Sequence, residues 1–339
     1  MSLVIQENVP LKDYNTFGID IYARYFVQIE SEDQLVKLFS DEKFIAIPKL
    51  ILGGGSNILF TKDYDGLVIF INIKGITHEQ SGNLVHVHAG AGEVWNDLVQ
   101  YCVVRDFAGI ENLSLIPGTV GAAPVQNIGA YGVELKDVFE SCLAFDTYDR
   151  SFRTFKRSDC KFGYRDSLFK SGGKGRYIIT SVSLALSKTP VINTSYGAIE
   201  QELVDQQIRN PSIKDISDVV SKIRVSKLPD PSTIGNSGSF FKNPVVDIDF
   251  LGQLQSNFLD IIYYPIGNNE FKLAAGWLIE QCGWKGFKEG NTGTWKNQAL
   301  VLVNHGSARG SEVYDFSEKI IKSVYTKFGV RLEREVNII

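Results

Sequence analysis

Two glycine-rich segments constrain what this chain can fold into. Residues 53–57 read Gly-Gly-Gly-Ser-Asn directly after an apolar run, and residues 116–132 are rich in glycine and alanine. Backbone without bulky side chains allows several N–H groups to converge on an anion, usually a phosphate. Two separated segments of this kind indicate a long ligand with a diphosphate in its middle, such as a dinucleotide.

The common nucleotide-binding motifs do not describe these segments. The first is not Gly-x-Gly-x-x-Gly, and no acidic residue stands suitably after a first βαβ unit. No Gly-Lys-Ser/Thr follows it, which excludes a Walker loop. Taken alone, residues 53–57 are as typical of a tight turn as of a phosphate cradle. Residues 106–137 show little periodicity, and a loop of that length in a compact domain is usually functional.

Composition narrows the class of protein. Of the 339 residues, 44% are hydrophobic and 22% charged, which is ordinary for a globular protein, and the net charge of −4 gives no basic field for nucleic acid. The cysteines form no Cys-x-x-Cys pair and the histidines no metal-ligand spacing, so we expect reduced thiols, no metal and a cytoplasmic location. The N-terminus resembles no signal peptide, and no apolar run is long enough to span a membrane.

The order of predicted elements favours an α+β fold over a single doubly wound parallel sheet. The spacing of apolar residues and the positions of glycine, proline and polar turn residues predict the secondary structure. Strands are predicted at 50–52, 67–71, 141–145, 177–186, 299–304 and 330–336, and helices near 94–105, 213–224, 272–281 and 311–328. The sequence Lys-Leu-Pro-Asp-Pro at 227–231 predicts a domain junction.

Seven short motifs, in order along nearly the whole chain, resemble the UDP-N-acetylenolpyruvoylglucosamine reductases, flavoenzymes of bacterial peptidoglycan precursor synthesis. Each is modest alone, and the set is specific. The motifs are Asn15-Thr16-Phe17, residues 53–57, residues 117–132, Gly-Tyr-Arg-Asp-Ser at 163–167, Gly-Ser-Phe-Phe-Lys-Asn-Pro at 238–244, Ala-Ala-Gly-Trp-Leu-Ile at 274–279 and Leu-Glu-Arg-Glu-Val at 332–336. Tyr196, in Ser-Tyr-Gly, resembles the substrate-capping loop of the type I branch.

The resemblance implies a two-subdomain FAD-binding fold of the vanillyl-alcohol-oxidase/p-cresol-methylhydroxylase type, in residues 1–70 and 71–225. A C-terminal α+β substrate domain, residues 226–339, would send its last strand to the flavin site. Neither glycine-rich segment contains a histidine for covalent attachment, so we expect FAD to be bound non-covalently. The implied FAD contacts are Gly53, Gly54, Gly55, Ser56, Asn57, Ser114, Pro117, Gly118, Gly121, Ala122, Gln126, Asn127, Gly129 and Tyr131.

The activity implied is that of an NADP-linked UDP-N-acetylmuramate dehydrogenase. NADPH would reduce FAD, and NADP would leave. UDP-N-acetylglucosamine enolpyruvate would then accept a hydride from flavin N5 at C3 and a proton at C2, giving UDP-N-acetylmuramate for cell-wall synthesis. We expect a monomer whose partners are these small molecules, with no nucleic acid and no membrane insertion.

The resemblance also implies catalytic residues. Arg165 would stabilise charge on the substrate carboxylate, because its guanidinium binds carboxylates bidentately and stays protonated. From the residues alone, a structural ion pair of Arg165 with Asp166 or another acid is the better interpretation. Ser239 would donate the proton to C2, although a lone serine in Gly-Ser-Phe is usually a turn residue and only the motif singles it out.

Glu335 is the implied second stabiliser or acid. In a strand, Glu333 and Glu335 share a face opposite Leu332, so alternation alone does not choose between the two carboxylates. The family motif selects Glu335. The chain departs from the family pattern at Asn337, where many members have arginine.

The substrate contacts carried over from the family are Tyr196, Lys227, Asn243, Lys285 and Gln298. The lysines suit a diphosphate as point charges, the amides suit uracil and sugar, and the tyrosine can close over the nucleotide. For any single lysine, a solvated surface charge is the ordinary interpretation.

Two other functions are consistent with parts of the sequence. One is an oxidase or dehydrogenase of the same FAD-binding superfamily with another small substrate. The other is an inactive protein that only binds sugar nucleotides, against which the intact set Arg165, Ser239 and Glu335 argues.

Overall fold

The computed structural model describes residues 3–339; residues 1 and 2, with which the predicted first subdomain begins, lie outside the described residues. The strands are β1 Ile5–Pro10, β2 Tyr22–Ile29, β3 Lys49–Leu52, β4 Ile58–Leu59, β5 Tyr64–Ile71, β6 Ile76–Ser81, β7 Leu84–Gly90, β8 Gly129–Ala130, β9 Val133–Glu134, β10 Phe139–Asp146, β11 Ser151–Lys156, β12 Tyr177–Ser187, β13 Gly235–Ser239, β14 Val245–Asp247, β15 Tyr263–Gly267, β16 Glu270–Leu273, β17 Lys288–Glu289, β18 Thr292–Trp295, β19 Gln298–Asn304 and β20 Asn337–Ile338. The α-helices are α1 Glu32–Ser40, α2 Trp95–Val103, α3 Gly197–Asp205, α4 Ile213–Lys227, α5 Ile248–Asn257, α6 Ala275–Gln281 and α7 Gly310–Phe328.

The described chain divides into two compact units. The first contains residues 3–9, Ala23–Gly55 and Asp65–Arg224, and the second contains Pro10–Tyr22, Ser56–Tyr64 and Val225–Ile339. Two short segments that precede residue 70 therefore belong to the second unit. The division of the remaining N-terminal part into two subdomains stays a prediction.

The first sheet of the first unit has the strand order β1-β2-β5-β3. Its β5 is an almost continuous apolar run, as expected of a strand buried on both faces, and it pairs in parallel with β3, Leu52 opposite Phe70. Helix α1 packs on this sheet through Leu35 and Leu38, which join the core around Val27 and Ile69. Strand β3 ends at Leu52, directly before the first glycine-rich segment.

The second sheet of the first unit is antiparallel, in the order β11-β10-β12-β7-β6. Alternate residues of β12, such as Val182 and Leu184, are buried, which is the period expected of a strand. Helix α2 packs Trp95 and Leu98 into the same core. The predicted strands at 141–145 and 177–186 and the predicted helix near 94–105 all have counterparts here.

Helices α3 and α4 form a smaller core in the first unit. The apolar stripe of α4, Ile216, Val220 and Ile223, packs against Ile199 and Leu203 of α3. With the buried Val219, this stripe is the i, i+3, i+4, i+7 pattern from which the helix near 213–224 was predicted.

The second unit is built on a sheet in the order β13-β19-β18-β17, with a three-stranded sheet β14-β16-β15 and the parallel pair β4–β20. Helices α6 and α7 pack on the first of these sheets. Helix α7 buries Val313, Phe316 and Ile320 and ends at Phe328; the next residue, Gly329, has a φ of 68°, the left-handed conformation usual after a helix.

Two boundaries predicted from the sequence are wrong. The helix near 272–281 begins only at Ala275, because Lys272 pairs with Tyr264 in β16. The strand predicted at 330–336 is reduced to an isolated bridge between Arg334 and Phe241, and regular pairing begins only in β20. Among residues 3–339, no helix has the length and apolar character that crossing a bilayer would require.

Candidate active site

The two glycine-rich segments meet in the first unit. A Cβ added to Gly53 would collide with the Thr119 hydroxyl, and one added to Gly54 would lie 3.0 Å from the Cα of Gly118. The same contact region includes Ala122. The backbone of Gly53 and Gly54 therefore approaches the second segment more closely than side chains would allow, and such exposed backbone suits a cradle for a phosphate-containing ligand.

The second segment is held by the chain just before α2. Val120 N donates to Glu93 O at 2.9 Å, and Gly121 N donates to Ala91 O at 2.9 Å. In the other direction, the backbone N–H of Trp95 donates a hydrogen bond to Gly118 O at 3.0 Å. These backbone hydrogen bonds fix the conformation of the loop although it is not a strand, so the loop is ordered before a ligand binds.

Two polar residues predicted to contact FAD have side chains that bind the protein itself. Asn127 is fully buried, donates to Glu134 Oε2 and Gly163 O at 3.0 Å each, and accepts from Lys136 N at 3.0 Å. Ser114 is also fully buried and donates to Glu111 O at 2.7 Å. These side chains fix the loop conformation, and neither residue exposes surface to a ligand. Their contact with FAD stays a prediction.

Arg165 lies against the second segment. Its Nη2 donates to Gly129 O at 2.7 Å, and a Cβ on Gly129 would be 3.1 Å from its Nη1, a tight contact that glycine avoids. Arg165 has a φ of 53°, in the left-handed region that a residue with a side chain rarely adopts. Such strained backbone is characteristic of functional sites.

Ser239 ends β13 in the second unit and is exposed. The preceding turn is fixed by Asn236, whose Nδ2 donates to Ile234 O at 2.9 Å and whose Oδ1 accepts from Gly238 N at 2.9 Å. The pairing with β19 is irregular between Asn236 and Ser239, as in a β-bulge that redirects a side chain.

The segment that contains Glu335 runs beside Ser239 within this unit. Glu335 N donates to Phe240 O at 2.8 Å, and Phe240 is fully buried. The two candidate carboxylates differ in their surroundings: Glu335 is half-buried, whereas Glu333 is exposed and pairs with Lys242 at 3.1 Å. Burial thus separates two residues that alternation alone did not.

The last residue of the first glycine-rich segment contacts the same C-terminal chain. Asn57 Nδ2 donates to Glu335 O at 3.4 Å. Asn337, which stands where many family members have arginine, donates to Asn57 O from its backbone N at 3.1 Å and from its Nδ2 at 3.0 Å. Within the second unit, the C-terminal segment is therefore anchored to Asn57, a residue that the sequence assigns to FAD.

Comparison with known proteins identifies the family. A family model described as "FAD binding domain" matches residues 23–151, and "UDP-N-acetylenolpyruvoylglucosamine reductase, C-terminal domain" matches residues 230–339. The UDP-N-acetylenolpyruvoylglucosamine reductase of Amoebophilus asiaticus is 49% identical over 336 residues, with 99% of both chains covered. The chain belongs to the UDP-N-acetylenolpyruvoylglucosamine reductase family. The reductases of Flavobacterium johnsoniae (48% over 337 residues, 99% of each chain) and Pseudomonas aeruginosa (47% over 340 residues, 100% of each chain) are similar along their whole lengths.

Membership of the reductase family confirms the fold prediction. The crystal structure of the Thermus caldophilus UDP-N-acetylenolpyruvylglucosamine reductase superimposes with a TM-score of 0.69 at 24% identity, with 99% of both chains covered. The α+β arrangement of an FAD-binding fold and a C-terminal domain is therefore shared. The chain is an FAD-dependent oxidoreductase, as predicted.

The substrate contacts predicted for this reductase fall in several places. Asn243 Oδ1 accepts from Ala275 N at 3.0 Å, and Gln298 Oε1 would be 2.7 Å from a Cβ on Gly276, so both amides lie against the start of α6. Lys285 is paired with Glu280 at 2.9 Å. The remaining predicted contacts are Lys227, exposed at the end of α4, and Tyr196, which is 41% exposed.

Sequence reasoning missed Arg224 of this reductase. The guanidinium of Arg224 hydrogen-bonds to the Tyr131 hydroxyl, and the Tyr131 ring meets Tyr196 edge-to-face at 5.2 Å. Burial raises the pKa of Tyr131. A signal was available: Arg224 continues the i, i+4 series of Ile216 and Val220, so a charge stands on the apolar stripe of α4.

Proposed function

We propose that this chain reduces UDP-N-acetylglucosamine enolpyruvate to UDP-N-acetylmuramate for peptidoglycan precursor synthesis, with non-covalently bound FAD and NADPH as the reductant. The observation that carries the proposal is the full-length similarity, at 49% identity, to a reductase named for this substrate. We expect the enzyme to act as a monomer in the cytoplasm.

The residues present fit FAD. The backbone of Gly53 and Gly54 facing Gly118 and Thr119 supports the proposal that these segments hold the diphosphate. The contacts proposed from the sequence are Gly53, Gly54, Gly55, Ser56, Asn57, Ser114, Pro117, Gly118, Gly121, Ala122, Gln126, Asn127, Gly129 and Tyr131. When bound, FAD would supply the transfer of a hydride from NADPH to C3 of the substrate.

Arg165 is proposed to stabilise the substrate carboxylate. Reduction at C3 pushes negative charge toward that group, and donors fixed before the reaction stabilise such charge most effectively. The hydrogen bond from Arg165 to Gly129 supports this role, because it restrains the guanidinium before any ligand arrives. Guanidinium remains charged throughout and can bind both carboxylate oxygens.

Ser239 is proposed to deliver the proton to C2, with Glu335 as the second stabiliser or acid. The exposed Ser239 hydroxyl stands on backbone fixed by Asn236 and by the buried Phe240. A proton donor held in one position is the requirement of general acid catalysis. The half-buried Glu335 is the better candidate of the two carboxylates in its segment, since the exposed Glu333 already pairs with Lys242.

The substrate itself is proposed to be bound by five further side chains. Lys227 and Lys285 would bind its diphosphate, Asn243 and Gln298 its uracil and sugar amides, and Tyr196 would cover the nucleotide. The contact between Tyr196 and Tyr131 supports the last role, because it places a partly exposed ring beside the proposed cofactor loop.

The absorption spectrum of the purified protein tests this proposal. A yellow protein that NADPH bleaches under anaerobic conditions, and that the enolpyruvyl nucleotide then restores, has the proposed activity. Restoration by oxygen alone, with no effect of the nucleotide, would indicate an oxidase. A colourless protein that binds the nucleotide would indicate a binding protein. Acid precipitation should leave the yellow colour in the supernatant, whereas colour in the denatured pellet would show covalent attachment.

A further inference from the structure

Helix α4 contacts the second glycine-rich segment at two points two turns apart. Ser217 Oγ lies 2.8 Å from Ser114 Oγ, and Arg224 hydrogen-bonds to Tyr131. Positions seven apart lie on one face of a helix, so α4 presents both side chains to the same loop. Helix α4 therefore lies beside the proposed cofactor segment, although none of the seven family motifs includes it.

The Arg224 side chain is not satisfied by the described protein. Its Nε is inaccessible to solvent and has no hydrogen-bond partner among residues 3–339, although the residue as a whole is half-buried. A buried donor without a partner is unfavourable, and a guanidinium donor more so than an amide. The Tyr131 hydroxyl accounts for one hydrogen bond of the guanidinium, but the Nε–H still has no acceptor among the described residues.

The charges around Arg224 are also unbalanced. The ionisable groups that act on it are Tyr131 and Arg165, so its charged neighbour carries the same sign. Burial, with a smaller contribution from Arg165, lowers the pKa of Arg224. Two guanidinium groups near each other, with no carboxylate of the described residues acting on Arg224, are typical of a site that receives an anion.

We propose that Arg224 is an anion-binding residue beside the second glycine-rich segment, where its Nε–H binds a phosphate or carboxylate oxygen next to Arg165. The inference rests on the proposed function, since the anion would come from the diphosphate of FAD or from the carboxylate or diphosphate of the sugar nucleotide. The Tyr131 hydroxyl then orients the Arg224 guanidinium, and the hydrogen bond between Ser217 and Ser114 fixes the position of α4 relative to the second glycine-rich segment.

Binding measurements on purified protein test the proposal. FAD affinity is measured on flavin-stripped protein by fluorescence quenching, and UDP-N-acetylmuramate affinity on the FAD-loaded protein by calorimetry. Arg224→Met should weaken one of these about 10–100-fold, the scale of a lost hydrogen bond to a charged group. The ligand that is weakened identifies the source of the anion. Arg224→Lys, which keeps the charge but lacks Nε, should recover only part of the loss. Lys214→Met, on an exposed position of the same helix, is the matched control.

The proposal is overturned if both Arg224 variants unfold cooperatively and bind both ligands as the wild type does, or if Lys214→Met causes an equal loss. Should Arg224→Met fail to fold, the lysine variant decides. Wild-type protein that binds neither FAD nor the nucleotide would instead refute the proposed function. Inorganic diphosphate then decides about Arg224: binding by the wild type that Arg224→Lys weakens supports the anion site, and equal affinities reject it.

Discussion

The backbone N–H of Glu335 donates a 2.8 Å hydrogen bond to the carbonyl oxygen of Phe240. Ser239 directly precedes Phe240, so this bond ties the backbone of the proposed proton donor to that of the proposed carboxylate. Phe240 and Phe241 are both buried, which anchors the connection in the core of the second unit. Variants of either catalytic candidate should therefore be conservative, because a backbone shift at one would move the other.

We predict that Gly54→Ala weakens FAD binding by about 10-fold or more, because the new Cβ would lie 3.0 Å from the Cα of Gly118 and push the two segments apart. Affinity is measured on flavin-stripped protein. Gly252→Ala is the control: its Cβ meets nothing within 4 Å in α5, so it should keep wild-type FAD affinity and stabilise the protein slightly. Unchanged affinity in the Gly54 variant would argue against the cradle.

We predict that Lys227→Ala and Lys285→Ala each weaken UDP-N-acetylmuramate binding about 10-fold, the scale of one charge-assisted hydrogen bond. The effect should shrink at high salt, because both lysines are exposed. Loss of the surface pair between Lys285 and Glu280 should hardly change the melting temperature. Lys322→Ala, an exposed position on α7, serves as the control. Wild-type affinity in calorimetry for both variants would remove the lysines from the site.

The local sequence predicted the elements that bury one face against a single neighbouring layer. Helix α4 and strand β12 each bury one face, so the spacing of their apolar residues shows the period of the element directly in the sequence. The glycine-rich segments were predictable for a related reason. Their lack of side chains is required by the close approach of the partner segment, as at Gly54 and Gly118.

Features set by distant partners were not predictable. Lys272 fits the helical period, yet pairing with Tyr264 places it in a strand. Apolar and polar residues alternate in 330–336 as in a strand, but in the described residues this segment forms an isolated bridge with Phe241 and not a regular strand. The same limit applied in the site: burial separates Glu335 from Glu333, and the orphaned Nε of Arg224 appears only when the helix is packed.

We predict that Asp146→Asn destabilises the protein in a pH-dependent way. Asp146 accepts from Arg176 Nη2 at 2.6 Å, and this hydrogen bond holds the pKa of the carboxyl below its ordinary value. A depressed carboxyl pKa contributes stability that is complete above the unfolded-state value, about 3.9, and is lost as the pH falls through the folded-state value. The melting-temperature gap between wild type and variant should thus be constant from about pH 5 to 8 and close below about pH 4.

Asp65→Asn is the control for this effect, because Asp65 pairs with Arg24 on the surface, where the two side chains are 84% and 58% exposed. It should change the melting temperature little at any pH. A gap for Asp146→Asn that persisted unchanged into acid would mean that lost packing, and not the ion pair, destabilises the variant.

The sharpest prediction concerns Ser239→Ala. In the proposed function, the serine delivers a proton only while the enolpyruvyl substrate is being reduced. The half-reaction with NADPH should therefore stay near the wild-type rate. The half-reaction with the substrate should slow by about 10²–10⁴-fold, the usual effect of losing a general acid. Rapid-mixing absorbance follows the two halves separately, and a deuterated solvent should slow only the second.

Ser237→Ala provides the matched control, because the Ser237 hydroxyl lies two residues away in the same strand, is buried, and has no hydrogen-bond partner among the described residues. Both half-reactions should survive that change. Equal slowing of both halves in Ser239→Ala would mean that the serine supports the fold or the cofactor site. If neither half slowed, Ser239 would have no part in the chemistry. Glu335, held beside it by the bond to Phe240, would then be the better proton donor.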